Sequence, residues 1–391
     1  MQKARVSLPY AHPTKTAGPA ISEVDFDLAP FIVIWETTQA CDLACLHCRA
    51  SARPMRDRGE LSTAEAMLLM DRVRSFGHPL FVLTGGDPLK RDDTVRLVEY
   101  GREIGLRVAM TPSGTPLMTR AVLQQLRDAG LARLAVSLDG SRAEVHDRFR
   151  GVAGSFEWTV RMLRVARELG LSTQINTTIS SHNVDDLEPL IDLMGQLGIS
   201  LWSVFFIVPT GRARPSDLAT AEEFERVFNR LYDISRTAPF DIKTTAAPHY
   251  RRVVLQRQIA ERRAGSRSEA PLPLTAGLGF SLADGVGRAR GVNDGNGFLF
   301  ISHLGEIYPS GFLPLSAGNV RTHDIADVYR NSDLFRTLRD SDRLEGKCGV
   351  CEYRTVCGGS RARAYAMTGN YMASDPSCAW MPARWRREES Q

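Results

Sequence analysis

Two rhythms of apolar residues alternate along the chain. Short runs rich in β-branched and aromatic side chains occur at FIVIWETT (31–38), LFVLTGG (80–86), RVAMTPSG (107–114), RLAVSLDG (133–140), STQINTTI (172–179) and SLWSVFFIVP (200–209). Longer stretches between them, such as STAEAMLLMDRVRSFG (62–77) and TRAVLQQLRDAG (119–130), space their apolar residues along one helical face. A short continuous apolar run bounded by turn residues reads as a buried strand, and a three-to-four-residue repeat reads as an amphipathic helix. Punctuation agrees with this division. Leu61 leads into a Ser62 or Thr63 cap with Glu65 close behind, and Gly77, Gly105, Gly130, Gly170 and Gly198 stand where helical patterns stop. Strands alternating with helices at this spacing predict βαβ units and a parallel sheet. Six units are too few for a closed barrel of eight strands. An open doubly wound sheet and a partial barrel both fit the periodicity.

The pattern changes after residue 245. HYRRVVLQRQIAERRAG (249–265) reads as a basic helix, and SRSEAPLPLTAGLGFSLADGVGRARGVNDGNG (266–297) is rich in Gly, Pro, Ala and Ser. Such a composition suits a flexible or substrate-facing loop. From 298 onward come a hairpin-like FLFISHLGEIYPSG and the last four cysteines. The expected divisions are an N-terminal extension (1–29), an α/β domain (30–245), a linker or insertion (246–297) and a small metal-dependent α+β module (298–391).

Charge removes some functions and leaves others. The 391 residues carry a net charge of +4, with Lys and Arg dispersed, so no basic arm for nucleic acid stands out. No stretch approaches the ~20 apolar residues of a membrane span. The first eighteen residues, MQKARVSLPYAHPTKTAG, lack the apolar centre of a signal peptide. A cytoplasmic protein is therefore expected, and thiols there stay reduced, so clustered cysteines point to metal or catalysis rather than disulfides.

Cys41, Cys45 and Cys48 sit just past the first predicted strand, at the end of the sheet where ligands collect. Three thiolates can hold three irons of a cubane cluster and leave the fourth iron open. A structural zinc wants four protein ligands. A zinc loop borrowing His47 also fits the spacing. Buried core cysteines fit poorly, because DLACLHC alternates polar and apolar residues.

Cys41-x3-Cys45-x2-Cys48 resembles the signature of the radical S-adenosylmethionine superfamily, whose fold is a partial (β/α)6 barrel. Later motifs follow that family's order over residues 31–211. TGGDP (84–88) is similar to its glycine-rich motif, which implies that Gly85 and Gly86 approach the cofactor's methionine ammonium and that Asp87 adds an acceptor. TPSG (111–114) resembles the ribose-contacting position, with Ser113 as the hydroxyl. SLDGSRAEVHDRFRG (137–151) resembles the segment of sulfatase-maturating enzymes in which a serine and an arginine hold the cofactor carboxylate. The matching residues are Ser137 and Arg150, with Arg148 a near competitor. Asn176, Thr177 and VPTG (208–211) fall where adenine contacts are expected.

CGVCEYRTVCGGSRARAYAMTGNYMASDPSC (348–378) supplies Cys348, Cys351, Cys357 and Cys378. Four thiolates saturate either zinc or a 4Fe–4S cluster. The segment resembles the SPASM or twitch auxiliary-cluster domain, and its wording is closest to enzymes of alternative heme and d-type heme biosynthesis. Ser310 and Ser360 stand where a full SPASM module has cysteines. The seven cysteines thus divide as three plus four, which implies two clusters. Arg361, Arg363 and Tyr365 fit either contacts to substrate carboxylates and the cluster, or the cover of an amphipathic helix.

The resemblance implies an enzyme that reductively cleaves S-adenosylmethionine to a 5′-deoxyadenosyl radical. Its auxiliary cluster takes or relays an electron, and a carrier such as flavodoxin or ferredoxin supplies one. The expected substrate is a tetrapyrrole propionate, with a ribosomally made peptide as the alternative. A non-catalytic zinc-binding scaffold is the reading from another class. His47 and His146 are expected to be structural, and Trp35 to pack either in the core or on the cluster. Tyr308 and Tyr365 fit packing or a radical relay equally well.

Overall fold

The computed structural model describes residues 24–265 and 291–389. Most of the expected N-terminal extension, and residues 266–290 of the expected flexible insertion, lie outside the described residues.

Nine strands form one sheet: β1 Ile32–Glu36, β2 Leu80–Thr84, β3 Arg107–Met110, β4 Arg133–Ser137, β5 Thr173–Ile179, β6 Leu201–Phe206, β7 Asp241–Thr245, β8 Phe298–Ile301 and β9 Ile307–Tyr308. Their order is β7-β6-β5-β4-β3-β2-β1-β8-β9. All neighbours are parallel except β8 and β9. The first six are the six apolar runs of the sequence. β7 continues the sheet beyond them. β8, assigned by the sequence pattern to the C-terminal module, pairs in parallel with β1, Ile34 opposite Phe300.

Alternation along the strands sorts side chains to two faces. Val33, Trp35, Phe81, Leu83, Val108, Met110, Leu134 and Val136 point outward into the main core. There they meet the apolar faces of helices Thr63–Ser75, Thr94–Glu103, Arg120–Ala129, Ser155–Glu168, Leu187–Leu197 and Ala221–Ser235. Each fully buried Leu or Phe in that layer contributes ~1.5–3 kcal/mol. Trp35 belongs to this core, 6.5 Å from the Phe81 ring, and does not face the three-cysteine loop's cavity. The helix at Thr63 starts with a complete capping box: Ser62 Oγ accepts from the Glu65 N–H, and the Glu65 carboxylate accepts from the Ser62 N–H.

The alternate residues face inward. Side chains from β1, β2, β4, β5, β7 and β8 line a single cavity, which a flat sheet could not bring about. The sheet is therefore curled into a partial barrel, and the loops at the carboxyl ends of its strands gather at one mouth. No helix among the described residues is long and apolar enough to cross a membrane.

Candidate active site

Cys41, Cys45 and Cys48 all line the cavity, the first two buried and the third half-buried. Their loop is fixed by backbone bonds to two neighbouring segments. Ala44 and Leu46 N–H donate to the Arg150 and Phe149 carbonyls at 3.1 and 3.0 Å, docking the loop on the end of helix Ala143–Arg150. Arg212 N–H donates to the Cys48 carbonyl at 3.0 Å, tying in the loop after β6. Gly211 there has φ +64°, and a Cβ on it would lie 2.3 Å from the Cys48 carbonyl oxygen. The expected VPTG segment thus supports the thiol loop by close backbone approach.

The glycine motif after β2 does the same. A Cβ on Gly86 would come within 2.4 Å of the Ala40 carbonyl oxygen, and one on Gly85 within 2.4 Å of that of Thr38. Both glycines line the cavity. Asp87 does not. It is fully buried beneath the motif, where its carboxylate accepts from Leu89 N–H (3.1 Å), Ser113 N–H (3.4 Å) and Thr115 Oγ1 (3.1 Å). Burial, outweighing those bonds, raises its pKa to about 6. Asp87 therefore organises the loops around the cavity from behind. Ser113 lines the cavity and links two motifs, its Oγ donating to the Gly86 carbonyl at 2.8 Å and lying 3.2 Å from Cys41 Sγ.

Ser137, Asn176 and Arg150 also reach the cavity, whereas Arg148 is exposed and Thr177 is buried in bonds to Leu138 and Trp202. Ser137, Asn176, Ser203 and Lys243 stand in register across β4 to β7, forming one polar row. The Arg150 guanidinium forms an ion pair with buried Asp139 and donates to Cys45 Sγ at 3.6 Å. These partners raise its pKa against the opposing effect of burial. His47 stacks on Phe149 at 4.2 Å, and burial together with Arg150 and Arg212 holds its pKa well below the ordinary value. His146 lines the cavity and accepts from Asp139 N–H at 3.0 Å.

The cavity has a volume of about 700 Å³ and two unlike walls. Ile32, Ile34, Leu80, Val82, Phe298 and Phe300 on β1, β2 and β8 make one apolar wall. The opposite wall carries Arg133, Gln174, Asn176, Thr178, Lys243 and Arg251. None of these cations was singled out from the sequence, where Arg133 and Lys243 are isolated basic residues within short strands and Arg251 is one of several in a basic helix. Only the fold shows that they share a wall. Arg212, also missed, lines the cavity, and its buried Nε and Nη2 have no hydrogen-bond partner among the described residues.

The four C-terminal cysteines line a second, small pocket with His249, Lys347 and Trp380. Cys357 is pushed up to about 12 by burial, and Cys41 to about 11 for the same first reason. Cys378 moves the other way: burial opposes, but His249 and Lys347 draw its pKa below the ordinary thiol value. Nitrogen donors face the sulfurs in both groups. Leu43, Ala52, Tyr353 and Gly359 N–H donate to Cys41, Cys48, Cys351 and Cys357 at 3.3–3.4 Å, and the Arg361 guanidinium donates to Cys348 at 3.7 Å. Such donors stabilise thiolates.

Of the remaining candidates Ser310 lines the cavity, and the others support these sites from outside it. Arg361 is buried and donates to the Tyr371 and Ala373 carbonyls. Arg363 pairs with Asp375, and Tyr365 packs beside Val208, Leu313 and Ala362. Tyr308 stacks on Phe300 at 6.3 Å. Ser360 Oγ caps helix Arg361–Thr368 through the Arg363 N–H, and Ser310 is buried within its turn, accepting from Phe312 N–H.

Residues 35–194 match the radical SAM superfamily. The AdoMet-dependent heme synthase of Methanosarcina barkeri is 39% identical over 358 residues, covering 91% of this chain and 98% of that protein. The AdoMet-dependent heme synthase of Oleidesulfovibrio alaskensis is 41% identical over 358 residues, covering 90% of this chain and 88% of the relative. Among solved structures, Streptococcus suis SuiB bound to precursor peptide SuiA superposes with a TM-score of 0.68 at 15% identity, over 90% of this chain and 76% of SuiB. That last likeness is one of fold.

Proposed function

This chain belongs to the radical S-adenosylmethionine superfamily, and from that premise we propose that it oxidatively decarboxylates propionate side chains of a tetrapyrrole. The observation that carries the reading is the two-walled cavity. A macrocycle offers a broad apolar face and anionic edges, which match the apolar wall of β1, β2 and β8 and the cationic wall opposite. Full-length similarity to two heme synthases supports the same substrate class.

Cys41, Cys45 and Cys48 would hold the first 4Fe–4S cluster. Gly85, Gly86, Ser113, Ser137, Arg150 and Asn176 would hold S-adenosylmethionine against it, and Asp87 would position them. When bound, this pair supplies a 5′-deoxyadenosyl radical that takes a hydrogen atom. The chain's own residues orient the side chain and keep water from the reacting carbon. Loss of hydrogen from the propionate carbon next to the ring, then cleavage of the bond between the second side-chain carbon and the carboxylate, leaves a vinyl group, carbon dioxide and one electron. Cys348, Cys351, Cys357 and Cys378 would hold the auxiliary 4Fe–4S cluster as acceptor for that electron. A carrier such as flavodoxin or ferredoxin would supply the reducing electron in the cytoplasm.

The test is anaerobic iron and sulfide quantitation, followed by incubation with dithionite, S-adenosylmethionine and an iron tetracarboxylate porphyrin. About eight irons per chain, released 5′-deoxyadenosine and vinyl product are expected. Cys348→Ala should fall toward about four irons and lose the vinyl product. Zinc in place of iron with no nucleoside would restore the scaffold reading, and turnover of a precursor peptide but no porphyrin would replace the substrate.

A further inference from the structure

Arg251 lies in the first turn of helix His249–Arg263 and lines the cavity. Its guanidinium donates to the Val356 carbonyl at 3.2 Å and to that of Val292. Val356 directly precedes Cys357, and both Thr355 and Val356 contribute to the cavity wall. The loop between Cys351 and Cys357 is therefore shared between the cavity and the four-thiol site, and Arg251 stands at the junction.

Its charge is balanced differently from those of two other cavity arginines. Arg49 is paired with Glu36, and Arg150 with Asp139. No carboxylate pairs with Arg251 among the described residues. The two carbonyl bonds occupy two of the five donors of a guanidinium. The side chain is half-buried at the cavity wall, where a cation without a carboxylate partner is costly. The remaining donors suit a planar, bidentate anion.

We propose that Arg251 binds a carboxylate of the substrate and, through the Val356 and Val292 carbonyls, holds that edge against the loop carrying Cys357. The proposal rests on the tetrapyrrole reading. It assigns Arg251 a second consequence, since a substrate so held releases its electron beside the acceptor's own loop.

The test is optical titration of the anaerobic full-length protein, without S-adenosylmethionine or reductant, using iron coproporphyrin III and its tetramethyl ester. Arg251→Gln should weaken binding of the acid by about tenfold to a hundredfold, the range of a charge-assisted pair, and leave the ester within about twofold. Arg251→Lys should recover part of the acid's affinity. Acid affinity within about twofold of wild type would overturn the assignment, and so would an equal loss for acid and ester, which would make Arg251 a wall-shaping residue. If Arg251→Gln loses iron, the same acid-versus-ester comparison is read on Arg251→Lys. Failure of the wild-type protein to bind either porphyrin would instead remove the tetrapyrrole reading itself.

Discussion

Asp375 offers a direct probe of what joins the C-terminal thiol site to the barrel. Its side chain is 0% exposed, as is that of Arg363. The carboxylate accepts from Arg363 Nε and Nη2 at 3.0 Å each, from Ser360 N–H at 2.8 Å and from Ser377 N–H at 3.0 Å, and it faces His249 Nε2 at 3.3 Å. Arg363 Nη1 meanwhile donates to the Ile207 carbonyl, just past β6, at 3.2 Å. Asp375→Asn keeps the shape and removes the charge, stranding a buried guanidinium. Breaking one partner of such a pair costs about 3–5 kcal/mol. At ~2.1 cal/mol/K per residue, the 391-residue chain unfolds with an entropy of ~0.8 kcal/mol/K, so Tm should drop by about 4–6 °C. Thermal melting of the anaerobic holoprotein reads this, and iron release to a chelator should quicken in parallel. Arg363→Met combined with Asp375→Asn should be less damaging than the two single changes summed, by at least about 1 kcal/mol. A Tm loss below about 1 °C, or strictly additive single effects, would refute the coupling.

Three further outcomes are expected. Gly86→Ala must displace the Ala40 and Gln39 carbonyls, 2.4 and 2.6 Å from the new Cβ, and a shift of ~1 Å near the reacting centre should cut nucleoside release per bound iron by ~100-fold; release within threefold of wild type would show that the loop yields freely. Asp87 holds its proton to a higher pH when folded than the ordinary 3.8, so its ionisation costs stability as pH rises from about 4 to about 6. The Tm of Asp87→Asn relative to wild type should therefore climb across that window and level off above it; a constant difference would contradict the assignment. Ser360→Ala should lose ~1 kcal/mol of helix capping with iron content unchanged, and a fall in iron would mean that the hydroxyl serves the cluster instead.

The strands legible in the sequence are those whose own side chains are apolar enough to mark them. β1 to β6 each carry enough Val, Ile, Leu or Phe to stand out without partners. β7, reading DIKTT, does not: it is an edge strand whose alternate residues, Lys243 among them, face a polar cavity. Its apolar content is too low for a pattern, and only pairing with β6 defines it. β8 was visible as a strand, but its place beside β1 was not, because parallel pairing across more than 250 residues leaves no local trace.

The thiols and glycines were legible for a different reason: each needs a fixed spacing within one loop, and spacing survives in a linear sequence. Arg361 and Arg363 show where that ends. Two positions apart on one helix, they carry the same charge and read alike, yet one donates to Cys348 and the other is locked by Asp375 and Ile207. Arg150 and Arg251 differ in the opposite sense. The first sits in a recognisable motif and arrives in the cavity with Asp139 as its counter-ion, whereas the second sits in no motif and arrives without one. A motif marks residues that the shared chemistry requires. An uncompensated charge facing a cavity marks where this chain's own ligand must supply the anion, and it becomes visible only when every buried cation's partner has been accounted for.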